Sequence, residues 1–285
     1  VSKVLIGLTV VSIGTSAPEI LVGVMASLDG APTLAIGNAI GSNIANIGLV
    51  LGITAIISQL PFAPSVLKSE LPWLIVATVV ALVCLVNLYL GVIDGLILIG
   101  GLALILYRLM ASPDHVGDLP DSLQDELDDL PEMTNGQGIV WLIIGLAILL
   151  LSSKILTEAA TSIAQLMDVD EIIIGLTVIA IGTSLPELAA TVSAAVKGQS
   201  DIAIGNVVGS NILNILAVMA VPALIHPIAI EPIVLFRDFA VMVALTTMLV
   251  LFAYGIGSLK VITRFEGCVM VAAWIGYNVM LYHQA

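Results

Sequence analysis

The sequence predicts an all-α polytopic membrane protein, an inverted-repeat architecture with broken helices and about nine spans of an expected ten. Three observations predict it. The 285 residues are 59% hydrophobic and only 10% charged, with mean hydropathy +1.16, whereas about one quarter of a soluble domain is charged. Apolar runs of bilayer-crossing length, about 20 residues, recur from end to end. A long block is also written twice.

Residues 6–50 lie over residues 174–218 at a constant offset of 168 (174 minus 6). "IGLTVVSIGTSAPE" sits over "IGLTVIAIGTSLPE", and "AIGNAIGSNIANI" over "AIGNVVGSNILNI". Without a gap, 25 of 45 positions are identical, far beyond what two unrelated apolar segments share. Such self-similarity defines the architecture before any element is placed.

The first copy, 1–111, predicts spans at 3–28, 33–58, 66–89 and 91–111. A polar loop follows at 112–137, where Asp114, Asp118, Asp121, Asp125, Glu126, Asp128, Asp129 and Glu132 concentrate much of the net charge of −13. It has no EF-hand pattern and no room for a folded regulatory domain, so it reads as a solvated linker. The second copy, 138–285, predicts spans at 138–166, 170–197, 201–226, 231–254 and 260–283. The counterpart of 138–166 would precede Val1, so a tenth, first helix is expected ahead of this sequence.

Orientation follows from basic residues, which favour cytoplasmic ends. With 112–137 in the cytoplasm, Lys3, Lys68, Arg108, Lys197, Lys260 and Arg264 fall on that side and only Arg237 falls outside. Five spans per unit invert the second copy relative to the first, the plan of secondary transporters.

The repeated blocks place polar groups at membrane depth, which costs several kcal/mol. In "GTSLPE", Pro186 lacks an N–H and disturbs the preceding turn, and Gly182 loosens it. Carbonyls near Ala180 to Thr183 are expected to be freed, which is tolerated where backbone lines a polar cavity. Glu187 sits on the next turn, with Thr183 and Ser184 adding hydroxyls. Gly14, Thr15, Ser16, Pro18 and Glu19 make the mirrored set. Two such sets form an oxygen cage. Ca²⁺ takes about 6–8 oxygens, and two carboxylates neutralise one divalent ion.

The second block supplies Ser42 with Asn46, and Ser210 with Asn214, four apart and therefore on one helical face. Gly37/Gly41 and Gly205/Gly209 are small pairs that let helices approach closely. Other polar residues read as structural: Glu158 with Lys154 as a local pair, Glu70 and Asp238 as interfacial, Cys84 and Cys268 as packed core. There is no basic tract for nucleic acid and no HExxH, nucleophile elbow or phosphate loop. No enzyme activity and no cofactor are expected; the partners are ions and the lipid bilayer, and no protein partner is indicated.

These motifs, at Gly14–Glu19 with Gly37–Ile47 and at Gly182–Glu187 with Gly205–Ile215, resemble the two alpha repeats of the sodium/calcium exchanger family, of prokaryotic type, within the cation/calcium antiporters. The likeness covers essentially the whole chain. It implies ten helices in inverted five-helix halves. It implies Ca²⁺ between Glu19 and Glu187, aided by main-chain carbonyls of Thr15 and Thr183. It implies Na⁺ sites at Ser16, Ser42, Ser184 and Ser210, with carbonyls near Ser12 and Ala180, and with Asn46 and Asn214 flanking the centre. One departure is Asn214, where some relatives carry Asp. An amide takes no proton and adds no charge, so potassium co-transport linked to that Asp is not carried over.

The expectation is an antiporter exchanging Ca²⁺ for Na⁺ by alternating access, in a bacterial or archaeal inner membrane. The span 138–166 and the expected first helix would form the moving bundle. Three rivals stand beside it: Ca²⁺/H⁺ antiport, a transport-inactive shortened chain acting in binding or assembly, and a channel, which is disfavoured because paired carboxylates hold a divalent ion too tightly for easy exit.

Overall fold

A computed structural model describes residues 14–62, 64, 66–111, 135–167, 169–255 and 260–283. Helix α1 covers Ala17–Leu28 and α2 covers Pro32–Ile57, with a proline in the first turn of each, where a missing N–H costs nothing. The first half continues with α3 (Val66–Leu85) and α4 (Val92–Ala111). The second half has α5 (Asn135–Met167), α6 (Glu171–Thr183), α7 (Leu185–Val196), α8 (Ser200–Ile225), α9 (Val234–Tyr254) and α10 (Arg264–Tyr282). Each falls on an expected span, α1 within 3–28, and the pair α6–α7 makes one span bent by 42°. Ser12 and most of the 112–137 loop lie outside the described residues.

The duplication reappears as geometry. Gly30 and Gly198, 168 residues apart, both adopt positive φ, +81° and +82°. There the chain leaves α1 and α7, with Ala31 N donating to Ala26 O and Gln199 N to Ala194 O. That left-handed exit favours glycine. Helices α2 and α8 both widen into π-turns, at Asn46–Leu51 and Asn214–Val218. Helices α3 and α9 open on a second matched pair, Val66–Glu70 and Val234–Phe239. A π-turn inserts an extra residue and tends to mark functional sites.

Helices α2 and α8 form the centre, with 78% of each span buried, against 22% for α10. The halves interlock around them: α1 packs on α2, α5 and the end of α8, while α7 packs on α8 and the end of α2. Two short antiparallel clasps join the halves. Strand β1 (Leu60–Pro61) pairs with β4 (Val261–Ile262), and β2 (Tyr89–Leu90) pairs with β3 (Ile228–Ala229). Each gains a further bond, Phe62 N to Lys260 O and Ile230 N to Leu88 O. Helix α10 then starts on a capping box, with Glu266 N donating to Thr263 Oγ1 and Thr263 N to Glu266 Oε2.

Two structural readings need correction. Asp238 is fully buried rather than interfacial. Arg237 grips it through Nε and Nη2 at 2.7 and 3.0 Å, and Tyr277 donates its hydroxyl at 2.8 Å. Pairing lowers the cost of burying the carboxylate. Cys268 is exposed, whereas Cys84 is buried as expected. Lys154 and Glu158 do pair, at 3.7 Å.

Candidate functional site

The polar residues of the expected cage meet where α1 and α7 begin, facing the middle of α2 and α8. Close approach comes first. A Cβ on Gly37 would stand 2.5 Å from Ile172 O, and one on Gly175 would stand 2.5 Å from Leu34 O. Gly41 likewise meets Leu176 Cα at 2.7 Å. Glycine therefore lets α2 touch the backbone of α6, which sets its polar face against Thr183.

The contacts cross from one copy to the other. Thr183 Oγ1 donates to Asn38 Oδ1 at 3.2 Å and lies 3.4 Å from Ser42 Oγ. Its mirror image is Thr15 Oγ1 donating to Asn206 Oδ1 at 3.5 Å. Ser16 Oγ donates to Glu187 Oε1 at 3.3 Å. Asn46 Nδ2 donates to Asn211 Oδ1 at 3.1 Å. Glu19 and Glu187 are fully buried and lie within electrostatic reach of each other.

What remains unpaired is as informative. Among the described residues, Glu19 Oε1 and Oε2, Glu187 Oε2, Ser184 Oγ, Ser210 Oγ, Asn46 Oδ1 and Asn214 Oδ1 are buried without a hydrogen-bond partner. Native interiors rarely leave such groups unsatisfied. These oxygens belong to residues that the sequence singles out; Asn43 Oδ1, Glu70 Oε2, Asn211 Nδ2 and Asn214 Nδ2 are buried without a partner as well. The two carboxylates, two hydroxyls and two amide oxygens suit a hard cation. The Ala180 carbonyl is not free of the helix: it accepts from Ser184 N at 3.1 Å. The bend at Ser184 is present, but the loosening it causes does not reach that carbonyl.

Sequence reasoning passed over Asn38, Asn206 and Asn211, all buried. For the first two the signal was available. Asn38, Ser42 and Asn46 recur every four residues, as do Asn206, Ser210 and Asn214, so each triple forms one polar stripe.

Comparison with known proteins matches residues 1–111 and 137–283 to the family described as sodium/calcium exchanger protein. CaxA of Alkalimonas amylolytica is 42% identical over 283 residues, covering 99% of this chain and 89% of that protein. The sodium/calcium exchanger MaX1 of Methanosarcina acetivorans is 31% identical over 317 residues, covering 99% and 90%. A solved structure of the sodium-calcium exchanger NCX_Mj, soaked with Na⁺ and Sr²⁺, matches with TM-score 0.70 and 35% identity, covering 98% of this chain and 87% of that one.

Proposed function

The chain belongs to the sodium/calcium exchanger family, and from that premise we propose that it exchanges Ca²⁺ for Na⁺ at one oxygen cage near the bilayer midplane. It is an integral membrane protein and a cation/calcium antiporter by family. The observation that carries the finer reading is the set of buried, unpartnered oxygens on Glu19, Glu187, Ser184, Ser210, Asn46 and Asn214.

Two carboxylates match the charge of one Ca²⁺, and Thr15 and Thr183 sit beside them with main-chain carbonyls to offer. Na⁺ is served by the hydroxyls of Ser16, Ser42, Ser184 and Ser210. Both ions then compete for overlapping oxygens, so one leaves as the other binds. Alternating access follows if α5 and the amino-terminal part of the protein slide against the core. Helix α5 packs on α1 and on the opening of α6, which suits a movable element. The 112–137 loop is placed in the cytoplasm and the protein in a bacterial or archaeal inner membrane.

The test is Ca²⁺ uptake into proteoliposomes loaded with Na⁺, compared with K⁺-loaded vesicles and with vesicles carrying only a pH gradient. Uptake driven by the outward Na⁺ gradient is expected. Uptake driven by the pH gradient and indifferent to Na⁺ would reassign the coupling ion to H⁺.

A further inference from the structure

The two copies use the same asparagine amide differently. In the first, Asn38 Nδ2 donates to the main-chain oxygen of Glu19 at 3.2 Å. In the second, Asn206 Nδ2 donates instead to Thr191 Oγ1 at 3.3 Å. Thr191 lies one turn past Glu187, and its counterpart 168 residues earlier is Gly23.

Packing explains why the copies differ. A Cβ on Gly23 would stand 3.3 Å from Val218 Cγ1, in the π-turn of α8. The first copy has little room for a side chain there. In the second copy Thr191 is fully buried, with its hydroxyl against Asn206, which is 2% exposed. Helix α2 is thus tied to α1 at the carboxylate-bearing residue itself, whereas α8 is tied to α7 one turn farther on.

We propose that Thr191 is a positioning residue that sets the affinity of the cage for Ca²⁺. Holding the amide fixes which end of Asn206 faces Thr15, and Asn206 Oδ1 is then in place to accept from Thr15 Oγ1. Thr15 adjoins Ser16, whose hydroxyl holds Glu187 Oε1. Without the Thr191 oxygen, the buried Asn206 amide loses its acceptor, a costly state. With no acceptor on Thr191, the Asn206 side chain is no longer fixed against α7. The grip of Asn206 Oδ1 on Thr15 Oγ1 slackens, and with it the hold of the Thr15–Ser16 segment on Glu187.

This inference rests on the cage reading above, and the experiment separates the two. Half-saturating Ca²⁺ and maximal flux are measured in proteoliposomes for the parent, Thr191→Val, Thr191→Ser and Glu187→Gln. Thr191→Val keeps the shape and removes the oxygen, and is expected to raise half-saturating Ca²⁺ roughly five- to thirtyfold at near-parent maximal flux. Thr191→Ser, which keeps the oxygen, is expected within about twofold of the parent. A normal half-saturation in Thr191→Val, or equal impairment in both threonine variants, overturns the positioning role. If Thr191→Val fails to insert, Thr191→Ala against Thr191→Ser makes the same comparison. Parent-like flux in Glu187→Gln would instead overturn the cage reading.

Discussion

Ser16 donates its hydroxyl to Glu187 Oε1 at 3.3 Å, across 171 positions of chain. The serine of one copy thereby holds the carboxylate of the other. In the proposed cage, neither half supplies the site alone.

Glu187→Gln and Glu19→Gln each remove one charge and leave the shape. Both are expected to abolish Ca²⁺ transport while inserting normally. The environments differ: Glu187 has a serine donor, whereas neither carboxylate oxygen of Glu19 has a partner among the described residues. Binding of Na⁺ is therefore expected to weaken more in Glu19→Gln. Initial ⁴⁵Ca²⁺ flux checks the first expectation and equilibrium Na⁺ binding to the purified variants the second, and near-parent Ca²⁺ flux in either variant refutes the assignment.

Asn214→Asp places a third carboxylate beside two. Three like charges in a low-dielectric site cannot all stay ionised, so the group takes up a proton as the medium becomes more acid. That proton competes with Ca²⁺. Flux in the variant is expected to fall more steeply than in the parent between pH 8 and pH 6, a window of about two units, and sensitivity to K⁺ is expected to emerge. Superimposable pH profiles would move Asn214 from the ion site to packing.

Gly37→Ala forces a methyl against Ile172 O and drives α2 away from α6. A loss of roughly 1–3 kcal/mol is expected, as for overpacked cores, read as a lower melting temperature of the purified protein. Gly100→Ala is the control, because nothing stands within 4 Å of its Cβ position. Equal stability of the two variants would mean that the crossing is looser than the backbone contact indicates.

Tyr277→Phe removes the hydroxyl that serves buried Asp238. A hydrogen bond to a charged group contributes about 1.5–3 kcal/mol, so the melting temperature is expected to fall. Half-saturation for Ca²⁺ and Na⁺ should stay unchanged, because the Arg237–Asp238–Tyr277 cluster ties α9 to α10 and adds nothing to the cage. A shifted half-saturation at constant melting temperature would place the cluster on the ion path.

A single cysteine introduced between residues 112 and 137 is expected to resist an impermeant thiol reagent in intact cells and to react in inverted vesicles. Cys268 is exposed and must first be replaced by serine. Labelling of the loop from outside would reverse the charge-based orientation.

Much of the fold is legible because the offset of 168 carries the break before Pro186, the close glycines and the polar stripe in both copies. What stays hidden depends on contacts between copies. Asp238 resembles an interfacial acid until Tyr277, on a later helix, is brought against it. The exposure of Cys268 depends on which face α10 turns outward. Thr191 is one apolar-run threonine among many until Val218 is seen to crowd its counterpart, Gly23. Periodicity reports which residues share a face, and only the assembled helices report what that face meets.

The clasp between Leu60–Pro61 and Val261–Ile262 also sets a timetable for synthesis. Leu60 waits 202 residues (262 minus 60) for its partner to leave the ribosome. At roughly 5–20 residues per second, the wait is about 10–40 s. An unpaired strand edge exposed that long is an invitation to pair with the wrong chain. Proline offers no N–H to such a pairing, so Pro61 protects the nascent chain as well as lying within the finished clasp.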